Sequence, residues 1–232
     1  MAADRQDIQF AVKELCRGMA KPRRTHQLKM KRLARYLVGR PRMVSRYMWQ
    51  KEEKVIEIYG DSNWAGCKET GKSTSGGVAM KGSHVLRSWS HTQRTVALSS
   101  GEAELTALVK GSCEGLGLKA LMADWGEDYD VVVYADASAA LGVVGRKGAG
   151  KLRHVHIGQL WVQDKAADEE IRYRKIQGEK NPGDLMTKNN GYVIMQSHLQ
   201  TLMAEFPAGR ATMSSELSRG ISSFKLVHRF CT

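Results

Sequence analysis

Two short apolar runs, each followed by an aspartate, constrain the fold of this chain more than any other feature. They are KVIEIYGD at residues 54–61 and DVVVYAD at residues 130–136. Apolar side chains lie on both faces of each run, which is typical of strands buried in the middle of a sheet. Helices must then cover both faces of that sheet, so we expect an α/β protein.

Further strand and helix patterns surround these two runs. GGVAM and HVLRSWS are joined by Lys81-Gly82-Ser83, whose glycine and spacing predict a hairpin. EIRYRKI, at residues 170–176, alternates as a last strand. Helical patterns occupy residues 95–125, 137–144, 153–167 and the stretch that begins at 183. Three antiparallel strands followed by strand–helix alternation predict a mixed five-stranded sheet flanked by helices.

The longest predicted helix begins in TVALSSGEAELTALVK, at residues 95–110. Ser99 is a favourable N-cap, and Glu102 three residues later completes a capping-box pattern. Glu104 has no such local role, so we expect it to serve the function of the protein. Two glycines farther along each weaken the helix by about 1 kcal/mol relative to alanine, and a kink or break is expected near them. They are Gly115 and Gly117.

Four acids share a position relative to the predicted elements. Asp61 and Asp136 each close a buried strand, Glu104 lies early in a helix, and Asp184 opens a later one. Strand ends and helix starts meet at one edge of an open sheet, where ligands bind. Clustered carboxylates require a cation, and their oxygens suit Mg²⁺ or Mn²⁺. A pair of such ions is a standard arrangement for phosphodiester cleavage. Any one of these aspartates alone is more often a turn residue, so the weight lies in their shared pattern.

The charge of the chain favours a polyanionic partner. Its formal net charge is +12 and its pI is near 9.6. Residues 1–40 show two helical patterns separated by Pro22, and no acidic residue occurs between Lys21 and Gln50. The basic residues there are either an ordinary solvated helix face or a surface that follows nucleic-acid phosphates, and we favour the second interpretation.

Neither the cysteines nor the N-terminus suggests an extracellular protein. The cysteines are far apart and include no CxxC pair, so we expect buried free thiols rather than a zinc site or disulfides. They are Cys16, Cys67, Cys113 and Cys231. The N-terminus is charged where a signal peptide needs an apolar core, and no apolar run is long enough to span a bilayer. An intracellular location, cytoplasmic or nuclear, is expected.

Several linked motifs occur along the chain: TSGG, SWSHTQRTVALSSGEAEL, VYADASAAL, RHVHI and GDLMTK. Together they resemble the ribonuclease H domain of Ty1/copia-type retrotransposon polyproteins. The resemblance covers about residues 54–190. Residues 1–50 are similar to the basic helical thumb and connection segment, which lies between the polymerase and ribonuclease H in the same polyproteins. Residues 191–232 match nothing in the family, and we expect a divergent tail that is partly helical or loose. The polymerase motif itself, a YVDD-like tetrapeptide, does not occur in the chain.

This resemblance implies a ribonuclease H-like fold and Mg²⁺-dependent hydrolysis of the RNA strand of RNA–DNA hybrids. Two ions, with Mn²⁺ as an alternative metal, would be held by the four acids already named. His154 matches a family histidine, which either assists proton transfer or product release or is structural. A reverse transcriptase polymerase domain is an expected partner. Basic residues are expected to hold the nucleic-acid backbones, among them Lys72, Arg87, Arg94 and Arg146.

Departures from the family pattern leave other functions open. Ala137 stands where an asparagine is common, and His156 stands where an acid is usual. One alternative is a catalytically inactive nucleic-acid-binding remnant, although a binding surface gains nothing from clustered acids. Another is a DNA-directed enzyme of the same fold class, such as an integrase or resolvase. Cleavage of an RNA–DNA hybrid compared with duplex DNA separates these alternatives.

Overall fold

The computed structural model of the protein describes residues 4–51, 53–150 and 155–209. The α-helices are α1 (Gln9–Cys16), α2 (Arg24–Gly39), α3 (Ser100–Asp124), α4 (Ser138–Val144), α5 (Trp161–Ala167) and α6 (Tyr192–Thr201). The strands are β1 (Val44–Ser45), β2 (Val55–Asn63), β3 (Thr74–Lys81), β4 (His84–Thr92), β5 (Asp130–Ala135), β6 (Ile171–Lys175) and β7 (Ala204–Glu205). Short 3₁₀ helices occupy Ile157–Gln159, Gly178–Lys180 and Pro182–Met186.

The main sheet confirms the predicted architecture. Its five strands lie in the order β4-β3-β2-β5-β6. Strands β2, β3 and β4 pair antiparallel as a meander, whereas β5 pairs parallel to β2 and β6 pairs parallel to β5. With helices on both faces, this is the mixed α/β, ribonuclease H-like fold that the motifs implied.

Helix α3 packs against the centre of the sheet along a stripe of small residues. A Cβ added to Gly115 would lie 2.6 Å from Val131 Cγ1, and one added to Gly111 would lie 3.0 Å from Ile58 Cγ2. These positions therefore need glycine so that the helix backbone can approach β2 and β5 closely. The kink or break expected near Gly115 and Gly117 does not occur, because packing on the sheet offsets the low helix propensity of glycine.

Three other boundaries differ from the sequence expectation. Strand β2 continues to Asn63, so Asp61 lies inside a strand rather than at its end. The helix expected over 153–167 is a 3₁₀ turn followed by the shorter α5, and residues 151–154 lie outside the described part of the chain. Asp184 lies in the first turn of a 3₁₀ helix rather than an α-helix.

A second core covers the other face of the meander. It combines apolar residues of β3 and β4 with residues of the 182–202 segment, among them Val78, Met80, Met186, Leu199 and Leu202. The predicted helix after residue 191 is present as α6, and its buried face belongs to this core. Strand β7 then pairs antiparallel with β1 in a separate two-stranded ladder.

The N-terminal segment buries Ile8 and Phe10 and also makes polar contacts. Gln9 Nε2 on α1 donates to the carbonyl of Ser88 on β4 at 3.2 Å. Tyr36 on α2 donates through its hydroxyl to Asp7 Oδ2 at 2.7 Å. Helix α2 fully buries none of its residues; Leu33, Tyr36 and Leu37 are half-buried and Leu28 is exposed.

The described cysteines are free thiols, as expected, but only Cys67 is buried. Cys16 and Cys113 are exposed, which corrects the expectation that the thiols lie inside. Both occupy helix positions that face solvent. Cys231 lies outside the described residues. Within the described ranges, no helix combines the length and apolarity that a membrane span requires.

Candidate active site

Three acidic side chains meet at one edge of the sheet. Asp61 comes from β2, Asp136 directly follows β5, and Glu104 lies in the first turns of α3. One carboxylate oxygen of each lies within 4.8 Å of the corresponding oxygen of the other two. Among the residues that the structure describes, this is the group of His, Cys, Asp and Glu side chains placed to hold a metal ion.

The parallel pairing of β2 and β5 brings the two aspartates together. Tyr59 is in register with Tyr134, so the two strands run side by side toward the same edge. Each aspartate follows its tyrosine by two residues and therefore reaches that edge at the same level. The predicted meeting of strand ends is therefore a consequence of register, even though β2 continues past Asp61.

Gln93 connects the start of α3 to the sheet next to Glu104. This buried amide donates from Nε2 to Ser75 Oγ on β3 and to the carbonyl of Ala103, both at 2.8 Å. Because Ala103 directly precedes Glu104, these hydrogen bonds fix the helix turn that carries the carboxylate. Ser99 Oγ accepts from the backbone N–H of Glu102 at 3.2 Å, which is the predicted N-cap.

Burial and mutual repulsion raise the pKa values of two of the acids. Asp61 is fully buried; desolvation is the largest cause of its raised pKa, and the charge of Asp184 is the next. Desolvation, followed by the charges of Asp61 and Asp136, raises the pKa of Glu104 to about 8. Both shifts therefore reflect burial first and repulsion between neighbouring carboxylates second.

The fourth predicted acid, Asp184, lies beside this group but is engaged by a lysine. Lys188 Nζ lies 3.0 Å from Asp184 Oδ1 and 3.2 Å from Asp61 Oδ1. Burial lowers the pKa of the Lys188 ammonium, but the charges of Asp61 and Asp184 raise it, and the net shift is upward. The ammonium therefore bridges two of the four acids.

Hydrogen bonds and close contacts fix the segment that carries Asp184 and Lys188. Asn181 Nδ2 donates to the carbonyl of Gly60 at 2.9 Å, and Ser90 Oγ donates to the carbonyl of Met186 at 2.5 Å. The buried hydroxyl of Thr187 donates to Asp61 Oδ2. A Cβ on Gly76 would lie 2.5 Å from Met186 Cβ, so glycine at this position of β3 lets the segment lie against the sheet.

The acidic group fits a hard divalent cation. Three carboxylates within 4.8 Å provide only oxygen donors, the ligands that Mg²⁺ and Mn²⁺ prefer. Burial is the largest cause of the raised pKa values of Asp61 and Glu104, and repulsion from neighbouring acids adds to it. A divalent ion between these oxygens would remove the repulsion and favour the charged carboxylates.

The sequence-predicted basic residues lie on different elements of the structure. Lys72 lies in the loop between β2 and β3. Arg87 on β4 forms an ion pair with Glu114 of α3 at 2.9 Å. Arg94 is exposed in the loop before α3, and Arg146 donates to the carbonyl of Ala149 at 2.8 Å. His154 lies outside the described residues.

A groove of about 1400 Å³ adjoins the acidic site. Its walls are α1, α2 and the β2–β3 loop, and Lys188 also lines it. Its basic lining residues are Arg17, Lys21, Arg23, Lys29, Arg32, Lys68, Lys72 and Lys188. Its acidic lining residues are Asp7, Glu14 and Glu69, and each of these pairs with an arginine. The groove is therefore positively charged and leads toward the acids.

Sequence reasoning missed Thr187, Lys188, Asn181 and Gln93 as residues of the site. Lys188 was detectable, because it follows Asp184 by four residues within GDLMTK and i,i+4 pairs of this kind interact. Thr187 and Gln93 act through contacts with residues 126 and 18 positions away, respectively, to which no local pattern points.

Comparison with known proteins identifies relatives that match most or about half of the chain. The retrovirus-related Pol polyprotein from transposon TNT 1-94 of Nicotiana tabacum is 27% identical over 190 residues, 81% of this chain. The chain spans only 14% of the length of that polyprotein. The secreted RxLR effector protein 161 of Plasmopara viticola is 37% identical over 118 residues, 51% of this chain and 82% of that protein.

Solved structures and family models give weaker evidence of similarity than the sequence relatives do. The N-terminal ribonuclease H domain of Rv2228c from Mycobacterium tuberculosis, solved as a fusion with maltose-binding protein, aligns with a TM-score of 0.41 and 17% identity. That alignment covers 64% of this chain and 99% of the solved chain. No protein-family model matches the chain.

Proposed function

We propose that the chain is the ribonuclease H region of a copia-type retrotransposon Pol polyprotein, a proposal that its similarity to such polyproteins supports, and that it is an endoribonuclease. It hydrolyses the RNA strand of RNA–DNA hybrids with two divalent metal ions, as part of such a reverse transcriptase or as a protein derived from one. It acts inside the cell, where a polymerase domain is its natural partner.

One observation carries this proposal. Asp61, Glu104 and Asp136 come from three different elements and still place carboxylate oxygens within 4.8 Å of one another. Keeping three acids this close costs free energy in the absence of a cation, as the raised pKa values of Asp61 and Glu104 indicate. A surface that only binds nucleic acid gains nothing from this cost, because the acids repel phosphates.

The residues of the chain have separable roles in this reaction. The three clustered acids would hold Mg²⁺, or Mn²⁺, through their oxygens. A bound ion supplies the charge that activates water and stabilises the leaving oxygen. Thr187 orients Asp61 through its hydroxyl, and Gln93 orients the helix turn of Glu104. The nucleic-acid backbone is held by the basic groove, where lysines and arginines meet phosphates.

Hydrolysis of an end-labelled RNA–DNA hybrid tests the proposal. Wild-type protein should cleave the RNA strand in Mg²⁺ or Mn²⁺ and should stop when EDTA removes the metal. Asp61→Asn should lose activity by about a hundredfold or more, because it removes a charged ligand and leaves the shape of the side chain unchanged.

The matched control is Asp168→Asn, an exposed acid after α5 that is distant from the site in sequence and lies outside the acidic group. It should cleave as wild type does. Equal rates for wild type and Asp61→Asn would contradict the proposal and favour a binding remnant. Cleavage of duplex DNA in preference to the hybrid would instead favour an integrase- or resolvase-like activity.

A further inference from the structure

The four acids of the site divide into two unequal sets. Asp61, Glu104 and Asp136 form the close group, and within it Asp61 is the acid that also contacts Lys188. Asp184 stands outside the close group and pairs with the same lysine. The close group therefore lines one cation position with three carboxylates, whereas the position between Asp61 and Asp184 holds an ammonium that belongs to the chain.

We propose that Lys188 is a tethered counter-ion that occupies the second cation position, so that the nucleic-acid-free protein binds one divalent ion and not two. This inference rests on the proposed function only in assuming that the acids bind a divalent ion. It concerns how many ions the resting chain accepts and which residue sets that number.

Distances support the assignment of Lys188 to a cation position. Its Nζ lies 3.2 Å from Asp61 Oδ1 and 3.0 Å from Asp184 Oδ1, which is direct contact with both oxygens. An ion shared by the same two oxygens would have to lie between them, where the ammonium is. Two cations cannot share that space, so a second ion requires the lysine to leave.

Asp61 is held so that both of its oxygens are used. Oδ2 accepts from the Thr187 hydroxyl and Oδ1 accepts from Lys188. Thr187 and Lys188 are adjacent in a segment that further hydrogen bonds tie to β2 and β4. The ammonium is thus delivered by a fixed backbone, which distinguishes it from a surface lysine that meets an acid by chance.

Lys188 also has a route out of the site. Its side chain is 37% exposed, and it lines the basic groove beside α1 and α2. The ammonium can therefore move toward the groove while the backbone of residues 181–188 stays in place. Lys188 is therefore not enclosed between the two acids.

Equilibrium binding of Mn²⁺ to the full chain without nucleic acid tests the inference. Free Mn²⁺ is counted by electron paramagnetic resonance, and calorimetry gives the stoichiometry. Wild type should bind about one ion per chain. Lys188→Met and Lys188→Gln, which remove the charge, should each bind about two.

Two further variants serve as controls. Lys188→Arg keeps a cation between Asp61 and Asp184 and should still bind about one ion. Lys180→Met removes the charge of an exposed lysine in the neighbouring 3₁₀ turn and should also bind about one. Circular dichroism of each variant verifies that it is folded, and the glutamine variant replaces the methionine variant if the latter unfolds.

Each outcome decides the inference. Two equivalent ions on wild type, or one ion on both charge-removing variants, would overturn it. Absence of Mn²⁺ binding from every protein would overturn it together with the metal-dependent part of the proposed function. Hybrid cleavage is measured separately. If wild type cleaves the hybrid but the charge-removing Lys188 variants still bind one ion, only this inference is rejected. If the ion counts are as expected but wild type does not cleave the hybrid, only the proposed endoribonuclease activity is rejected.

Discussion

Helices α2 and α3 both show apolar residues at helical spacing, but the structure fixes them in different ways. Helix α3 buries residues along much of its length, from Ala103 to Gly115, against β2, β3 and β5. Helix α2 buries none, and its Leu28 is 52% exposed. It is held instead by the hydrogen bond from Tyr36 to Asp7 and by the ion pair of Arg23 with Glu69.

The difference follows what each helix carries. Glu104 on α3 must lie within a few ångströms of two other carboxylates, and close packing provides that precision. Helix α2 presents lysines and arginines to a groove, where attraction to phosphates acts over roughly 10 Å and tolerates imprecise placement. The helix that carries a candidate metal ligand is therefore closely packed on the sheet, whereas the helix that carries basic groove residues is held by polar contacts.

The largest expected effect separates two glutamates at the start of α3. Glu104→Gln should lower hybrid cleavage by about a hundredfold or more, because it removes a charged metal ligand. Glu102→Gln should leave cleavage unchanged and reduce stability by about 0.5 kcal/mol, since it removes negative charge from a helix N-terminus. Single-turnover cleavage and urea unfolding measure the two effects. Comparable activity losses in both variants would contradict the assignment.

The next effect tests the packing of α3 with two identical substitutions. Gly115→Ala should destabilise the protein by about 2 kcal/mol, because the new Cβ would lie 2.6 Å from Val131 Cγ1. Gly117→Ala, with no atom within 4 Å of its Cβ, should stabilise it by about 0.5–1 kcal/mol through helix propensity. Chemical unfolding of both variants measures the difference. Changes of the same sign would contradict the account of α3.

A smaller effect concerns pH. The pKa of Glu104 is about 8 and that of Asp61 about 7, both raised from ordinary values of 4.5 and 3.8. The folded protein therefore binds more protons than the unfolded chain within this window, and the free energy of unfolding should fall as pH rises. Without metal, we expect this loss between about pH 5 and pH 8, the window that lies between the ordinary and the raised pKa values.

Two comparisons sharpen this pH prediction. Mn²⁺ should reduce the loss, and Asp61→Asn should reduce it without metal, because each removes repulsion among the acids. Asp168→Asn, an exposed acid after α5, should leave the slope as it is in wild type. Thermal unfolding across the pH range measures all of these proteins. Stability that rises with pH in the metal-free wild type would refute the prediction.

The smallest effect belongs to α2. Arg32→Gln, in the groove, should weaken hybrid binding and leave the cleavage rate at saturating hybrid unchanged. It should also reduce the slope of log binding constant against log salt concentration by about 1. Lys31→Gln, on the same helix but outside the groove lining, is the matched control and should change the affinity less. Fluorescence anisotropy at several salt concentrations tests this. A lower cleavage rate at saturating hybrid would instead indicate that Arg32 contributes to the chemical step.

Local patterns were enough to predict the sheet and the close acidic group. The apolar runs that end at Asp61 and Asp136 predicted central strands, and the register of those strands then carries the two acids to one edge. The capping pattern at Ser99 correctly identified the start of α3. These features depend on residues near one another in sequence.

Features that depend on distant partners were not predictable in the same way. The expected kink at Gly115 was wrong because helix propensity describes an isolated helix. It does not include the packing of Gly115 against Val131 in a neighbouring strand. The apolar side of α2 was predicted correctly as a pattern, but whether another element covers it is decided elsewhere in the chain. The pair of Lys188 with Asp184 was detectable from its spacing, but the contact of Lys188 with Asp61 depends on the fold.

The two-stranded ladder of β1 and β7 has a consequence for how the chain reaches its native state. Its partners, Val44 with Glu205 and Ser45 with Ala204, are separated by about 160 residues. Closing so long a loop carries a large entropic cost, so this ladder should form after the meander and α3 have organised. During synthesis, β1 leaves the ribosome well before β7, so it stays unpaired until residues 204–205 emerge.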